Sequence, residues 1–170
     1  MKKIIFISAV SGVGKSTICE YINNNNILDN YIAFDIDDLE NINEYNKDTY
    51  NDFYKNAVNK AIEKAKEKNI IIGACINPTD INNLDIPKEI DINMILITCS
   101  NKKLERRLKE RDKNRNCSSD EFIKGQIDYQ DYLSNHLDMY QLHINNSNSN
   151  IEDISYQIVD FIKENNKVKK

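Results

Sequence analysis

The pattern of apolar and polar residues along the chain predicts strands that alternate with helices. Strands are expected over residues 3–9, 31–34, 69–74, 92–98 and 141–145, most of them short apolar runs typical of strands buried on both faces. Helices with one buried stripe are expected over residues 15–24, 48–68, 102–112, 122–140 and 154–162, where apolar residues recur at three- and four-residue intervals. The predicted class is α/β, a three-layer fold with a parallel β-sheet of about five strands flanked by helices.

A phosphate-binding sequence lies between the first predicted strand and the first helix. Residues 9–17 match G-x-x-x-x-G-K-[ST] except that Ala9 replaces the first glycine. Glycines let the backbone approach an anion closely, and the loop N–H groups and the helix N-terminus then point at it. A plain small-residue turn is the less specific alternative. The predicted nucleotide-binding residues are Ser11, Gly12, Val13, Gly14, Lys15, Ser16 and Thr17. We expect Lys15 to reach the β- and γ-phosphates and the Ser16 hydroxyl to hold Mg²⁺.

Two carboxylates, Asp35 and Asp37, follow the second predicted strand. In an open α/β sheet this edge also holds the phosphate loop. One carboxylate can orient or deprotonate an acceptor hydroxyl while the other holds the water shell of Mg²⁺. Both are candidate catalytic residues and Asp37 is also a candidate metal ligand beside Ser16, but the pattern leaves open which of them is the base. The alternative is that Asp37 or Asp38 caps the next helix.

A basic segment follows the fourth predicted strand. Residues 102–115 contain eight basic and three acidic side chains in a chain that is acidic overall. Arg107, Arg111 and Arg115 are four residues apart, which predicts one shared helix face. Arginine forks can neutralise charge on a transferring phosphoryl group, so Arg111 and Arg115 are candidate catalytic residues beside a short lid at about 112–120. A solvated, charged helix with surface ion pairs is the alternative.

Composition narrows the kind of protein. We expect a single domain over residues 1–166 and a frayed basic tail at 167–170. The net charge of −4 argues against a general nucleic-acid binder. Four scattered cysteines without a C-x-x-C pair, and only two histidines, favour reduced thiols over zinc or disulfides. Nothing approaches the roughly 20 apolar residues of a membrane span, so a cytoplasmic protein without a membrane partner is expected.

With these motifs the chain resembles the small P-loop kinases related to nucleoside monophosphate, shikimate and gluconate kinases, a branch of the P-loop NTPases. The resemblance implies that ATP binds at the loop and Lys15, that Mg²⁺ binds at Ser16, and that Asp35 and Asp37 contact the acceptor or its metal. It also implies that Arg111 and Arg115 clamp the phosphates. No acidic residue ends the strand at residues 69–74, which counts against a motor-type or chaperone-type ATPase.

The predicted function is transfer of the γ-phosphoryl group of ATP to a hydroxyl of a small metabolite, either nucleoside-like, nucleotide-like or a polyol. No arginine precedes Arg106, which favours a neutral acceptor over a monophosphate unless Lys47 or Lys55 supplies the missing cation. One alternative is a switch that hydrolyses ATP or GTP and signals to a protein. Another is a kinase of a nucleic-acid end or a nucleotide sugar. The acceptor, the choice of ATP or GTP, and a monomeric or homodimeric state stay open.

Overall fold

A computed structural model describes residues 2–111 and 119–167 of the chain. Within them, five parallel strands form one sheet in the order β2-β3-β1-β4-β5. The strands are β1 (Lys3–Ser8), β2 (Tyr31–Asp35), β3 (Asn69–Ala74), β4 (Asp91–Thr98) and β5 (Leu142–Asn145). The predicted α/β class and parallel sheet are confirmed.

Long crossover connections join the parallel strands, and all of them except the one between β3 and β4 contain α-helices. The helices are α1 (Lys15–Asn24), α2 (Ile36–Leu39), α3 (Tyr50–Ala65), α4 (Asn101–Glu110), α5 (Asp120–Ser134) and α6 (Ile151–Lys167). Short 3₁₀ turns lie at Ile42–Glu44, Pro78–Asn83 and Leu137–Met139. Helix α1 packs against α6, α2 against α3 and α4 against α5.

Three predicted helices end earlier than expected, and the one predicted over residues 48–68 stops at Ala65. The helix predicted over residues 122–140 stops at Ser134, because its buried stripe ends at Leu133 and Leu137 is 41% exposed. Helix α4 stops at Glu110, and Arg111 has an extended backbone with ψ of 150°. Arg107 and Arg111 therefore do not share a helix face, and Arg115 lies outside the described residues.

The centre of the sheet is the core of the protein. Isoleucines of β1 and β3 are at most 2% exposed, because helices cover both faces of the sheet. The pairing register aligns the carboxyl ends of the strands: Ser8 lies opposite Ala74 and Leu96, and Asp35 lies opposite Gly73. The phosphate loop and the segments that follow β2, β3 and β4 therefore meet at one edge, as the sequence predicted. In the described part of the chain, no helix combines the length and hydrophobicity needed to cross a bilayer.

Candidate active site

The loop after β1 has the conformation that its glycines permit. Gly12 and Gly14 have φ angles of +89° and +115°, which residues with a Cβ rarely adopt. A Cβ on Gly12 would lie 3.0 Å from the side chain of Leu108, so the loop lies directly against α4. Ala9, at the position of the first motif glycine, is fully buried and donates its N–H to the Ala74 carbonyl at 3.2 Å. Alanine fits there because the residue continues the pairing of β1 with β3.

The first turn of α1 presents positive charge. Gly14 is its N-cap, and among the described residues no side chain accepts a capping hydrogen bond there. Uncapped N–H groups at a helix N-terminus attract anions. The Lys15 ammonium donates to the carbonyls of Ala9 at 2.9 Å and Val10 at 3.2 Å, which holds it over the loop.

The direction of the loop peptides is fixed from α4 and from the segment after β5. Arg107 Nη1 donates to the Val13 carbonyl at 2.8 Å, and Asn146 Nδ2 donates to the same oxygen at 3.0 Å. The Gly14 nitrogen is bonded to the Val13 carbonyl carbon. Because a trans peptide is planar, the Gly14 N–H points away from the side on which Arg107 and Asn146 bind the carbonyl oxygen. Lys103 in turn donates to the Asn146 carbonyl, which ties this segment to α4.

The two predicted carboxylates lie in different surroundings. Asp35 is 5% exposed and accepts a hydrogen bond from the Ser16 hydroxyl with one oxygen. Its other oxygen accepts from the Asp37 N–H at 3.1 Å, so Asp35, and not Asp37 or Asp38, caps α2. Asp37 keeps contact with solvent and lines a neighbouring cavity. Partial desolvation at the cavity wall raises the pKa of Asp37, Asp35 and Asp38 add to the effect, and Lys15 and Arg111 oppose it.

Two openings flank the loop. The first, called the loop cleft, has a volume of about 520 Å³, and its lining includes Gly14, Ser16, Thr17, Arg107, Arg111 and Asn146. The second, called the aromatic cavity, consists of adjoining spaces of about 710 and 470 Å³. Both spaces are lined by Tyr50, Tyr54, Cys75, Phe122 and Gln126. Ser11, Lys15 and Asp37 line the larger space, and Arg111 lines that space as well as the loop cleft.

The predicted site residues are thus brought together at one edge of the sheet, with one exception. The loop residues, Asp35, Asp37 and Arg111 lie around the loop cleft and the aromatic cavity. Arg115 lies outside the described residues, and so does most of the lid predicted at about 112–120. The sequence predicts Asp37 as a metal ligand beside Ser16, but in the structure the Ser16 hydroxyl contacts Asp35.

Sequence reasoning missed the contribution of α3 and α5. Gln126 Oε1 accepts the Ser11 N–H at 2.8 Å, which joins α5 to the phosphate loop. Tyr50 and Tyr54 lie at the start of α3, and the Tyr54 hydroxyl donates to the Cys75 carbonyl at 2.7 Å. The one available signal was Gln126, a glutamine within the apolar stripe of the helix predicted over residues 122–140.

Comparison with known proteins agrees with this architecture. A family model described as an AAA domain matches residues 5–127, well over half of the chain. The chain belongs to the AAA_18 family. Among curated proteins, none matches the sequence of this AAA-domain protein significantly.

Solved structures of small kinases share its fold. A shikimate kinase from Acinetobacter baumannii in complex with shikimate has a TM-score of 0.64 at 16% identity, covering 97% of this chain and 94% of that one. A gluconokinase from Sinorhizobium meliloti has a TM-score of 0.61 at 14% identity, covering 99% and 97%. A tunicamycin resistance protein from Deinococcus radiodurans has a TM-score of 0.67 at 14% identity, covering 95% and 96%. The expected likeness to small P-loop kinases is confirmed at the level of the fold.

Proposed function

We propose that this AAA-domain protein transfers the γ-phosphoryl group of ATP to a hydroxyl of a small molecule. The observation that carries the proposal is that the phosphate loop and a carboxylate line the same cavity. Ser11 and Lys15 of the loop line the larger space of the aromatic cavity together with Asp37. A triphosphate in the loop cleft would direct its terminal phosphate toward this space, where an acceptor hydroxyl could meet it in line.

The residues beside the loop fit a magnesium ion. Mg²⁺ binds proteins through one or two oxygen ligands and takes the rest from water and substrate phosphates. Ser16 and the buried Asp35 supply such a pair, and no cluster of three or more His, Cys, Asp or Glu ligands occurs among the described residues. We assign Ser16 to the ion and Asp35 to its water shell, in place of Asp37. When bound, Mg²⁺ would neutralise charge on the β- and γ-phosphate oxygens.

Asp37 is assigned to the acceptor. Its carboxylate is not engaged in capping α2, and it lines the cavity in which the acceptor would lie. A carboxylate there can accept the proton of the attacking hydroxyl, and a raised pKa makes it a better base than an ordinary aspartate. The proposed base is therefore Asp37 and not Asp35.

Lys15 and Arg111 are assigned to charge stabilisation. Lys15 lies over the loop, and Arg111 is placed between the loop cleft and the aromatic cavity, where the transferring group would pass. Positioned cations lower the barrier because they need no reorganisation when charge develops on the phosphoryl oxygens. Arg115 remains a predicted second arginine of the same kind.

The fate of labelled phosphate tests the proposal. Purified protein is incubated with γ-labelled ATP or GTP, Mg²⁺ and pools of nucleosides, nucleotides, polyols, sugar acids, nucleotide sugars and RNA with a 5′-hydroxyl. We expect label in a new organic phosphate from at least one small-molecule pool. Label found only in inorganic phosphate would contradict a kinase and favour the hydrolysing switch, and label in RNA alone would favour an end kinase.

A further inference from the structure

We propose that the phosphoryl acceptor carries a planar ring and no anionic group, and that its ring binds in the aromatic cavity. This inference rests on the proposed phosphoryl transfer and names the class of its acceptor. An unphosphorylated nucleoside is the simplest molecule of this class. The charges on the cavity wall and the aromatic rings on the same wall are two independent observations that support this proposal.

The cations of the cavity lie at its phosphate end. Within residues 2–111 and 119–167, the basic side chains that line it are Lys15 and Arg111. Lys15 is held by two loop carbonyls, and Arg111 also lines the loop cleft, so both would face the phosphates of a donor bound at the loop. Lys55, which the sequence offered as a substitute cation, pairs with Asp85 at 2.7 Å and does not line the cavity.

Among the described residues, the charged group on the wall of the smaller space, which no phosphate-loop residue lines, is the carboxylate of Asp80. The larger space adds Glu40, which Lys60 neutralises at 2.5 Å, and Asp37, which lies within electrostatic reach of Lys15 and Arg111 at the phosphate end. The smaller space therefore carries the negative charge of Asp80 and no cation from the described side chains. A carboxylate or phosphate on the acceptor would lose hydration and meet like charge. The wall therefore selects against sugar acids and nucleoside monophosphates.

The same wall offers aromatic faces. Tyr50 is 43% exposed although it lines both spaces, and Phe122 faces them from α5. The Tyr50 ring is held edge-on to Tyr54 at 5.3 Å, and the two hydroxyls lie 3.3 Å apart. A large aromatic side chain that is fixed by its neighbours yet open to a cavity is suited to stacking on a planar ligand. A polyol would leave these faces uncovered.

Matched acceptor pairs test charge and ring separately. Each nucleoside is compared with its 5′-monophosphate and with ribose, and methyl shikimate is compared with shikimate. Transfer of label from ATP is measured by chromatography, and binding is measured in parallel by saturation-transfer NMR with ADP present. We expect each neutral acceptor to exceed its anionic partner, and each nucleoside to exceed ribose, which lacks the planar base, by about tenfold or more in kcat/KM.

The outcomes separate this inference from the kinase proposal. Faster transfer to monophosphates, to sugar acids or to ringless polyols would overturn the acceptor class while supporting a kinase. If label appears only as inorganic phosphate, the kinase proposal fails. In that case selective NMR binding of neutral ring-bearing ligands supports the inference about the cavity, and binding that is absent or favours anions overturns it.

Variants of Tyr50 localise the effect. Tyr50→Ala should raise the acceptor KM several-fold, up to about tenfold, and leave the KM for ATP unchanged, while Tyr50→Phe keeps the ring and the low acceptor KM. Tyr156→Ala is the control, since Tyr156 is 44% exposed on α6 and lies outside the cavity. An unchanged acceptor KM in Tyr50→Ala would contradict stacking at this ring.

Discussion

Asp35 and Asp37 are two residues apart, yet the structure gives them different surroundings. Both oxygens of Asp35 are engaged, one by the Ser16 hydroxyl and one by the Asp37 N–H. Asp37 faces the aromatic cavity, and its pKa is raised by partial desolvation and by Asp35 and Asp38. Carboxylates in unlike environments can take unlike roles in one reaction. We therefore assign the metal side to Asp35 and the acceptor side to Asp37.

The pH dependence of turnover tests the role of Asp37. Because its pKa is raised, the carboxylate base should be lost on acidification at a higher pH than for an ordinary aspartate. Asp37→Asn should lower kcat by roughly 10²–10⁴-fold and abolish the acid limb of the pH profile. A variant that keeps this limb would show that another group is titrating.

Asp37→Asn should raise the thermal stability of the protein, although it lowers kcat. A carboxyl whose pKa is raised by folding is destabilising when ionised, so Asp37→Asn should raise Tm at pH 7. The gain should shrink as the pH falls through the raised pKa and vanish below the pKa of the unfolded chain. Asp29→Asn, at an exposed position, is the control and should show neither effect. A lower Tm for Asp37→Asn at pH 7 would refute the assignment.

At the scale of elements, the contact of β3 with α1 sets the position of Lys15. A Cβ on Gly73 would lie 3.1 Å from the Lys15 Cβ and 3.3 Å from the Cys19 sulfur. Cys19 is buried, and burial raises its thiol pKa to about 12, so it acts there as a packing residue. The absence of a side chain at Gly73 therefore lets the first turn of α1 lie close to the sheet.

Gly73→Ala tests this contact. Overpacking should cost about 1–3 kcal/mol in the free energy of unfolding and should weaken ATP binding, because α1 must move with Lys15. Gly125→Ala is a matched control: an added Cβ meets nothing within 4 Å in the interior of α5, so it should stabilise by about 0.5–1 kcal/mol. Urea unfolding and ATP titration measure both quantities. Wild-type stability and affinity in Gly73→Ala would contradict the account.

Local signals explain what the sequence could predict. Apolar runs located the strands to within a residue or two, and the loop and Asp35 follow from short motifs. Periodicity misled where it continued beyond the packed region: Leu137 and Tyr140 extend the α5 stripe in the sequence, and Arg111 continues the spacing of α4.

Contacts between distant segments carry no local signal. The hydrogen bond of Gln126 with Ser11 joins residues 115 positions apart, and the aromatic cavity forms only when α3 and α5 reach the same sheet edge.

At the scale of the whole molecule, charge is separated across the site. The net charge is −4, yet Arg107 and Arg111 line the loop cleft and Lys15 lines the phosphate end of the aromatic cavity, whereas Asp80 lines the smaller space of that cavity. The parallel sheet produces this arrangement, because the carboxyl ends of β1, β2 and β3 lie side by side. An anionic donor and a neutral or cationic acceptor are the pair of substrates that this field would favour.

Phosphoryl transfer in wild type and Lys15→Ala tests the central claim most directly. The measurement is the rate at which γ-label from ATP enters organic phosphate, with circular dichroism to confirm folding and Lys64→Ala as an exposed-lysine control. We predict transfer by the wild type and by Lys64→Ala, and a rate lower by roughly 10³-fold or more in folded Lys15→Ala, because catalysis here depends on positioned charge. Wild-type transfer by Lys15→Ala, or no transfer by the wild type to any acceptor, would contradict the account.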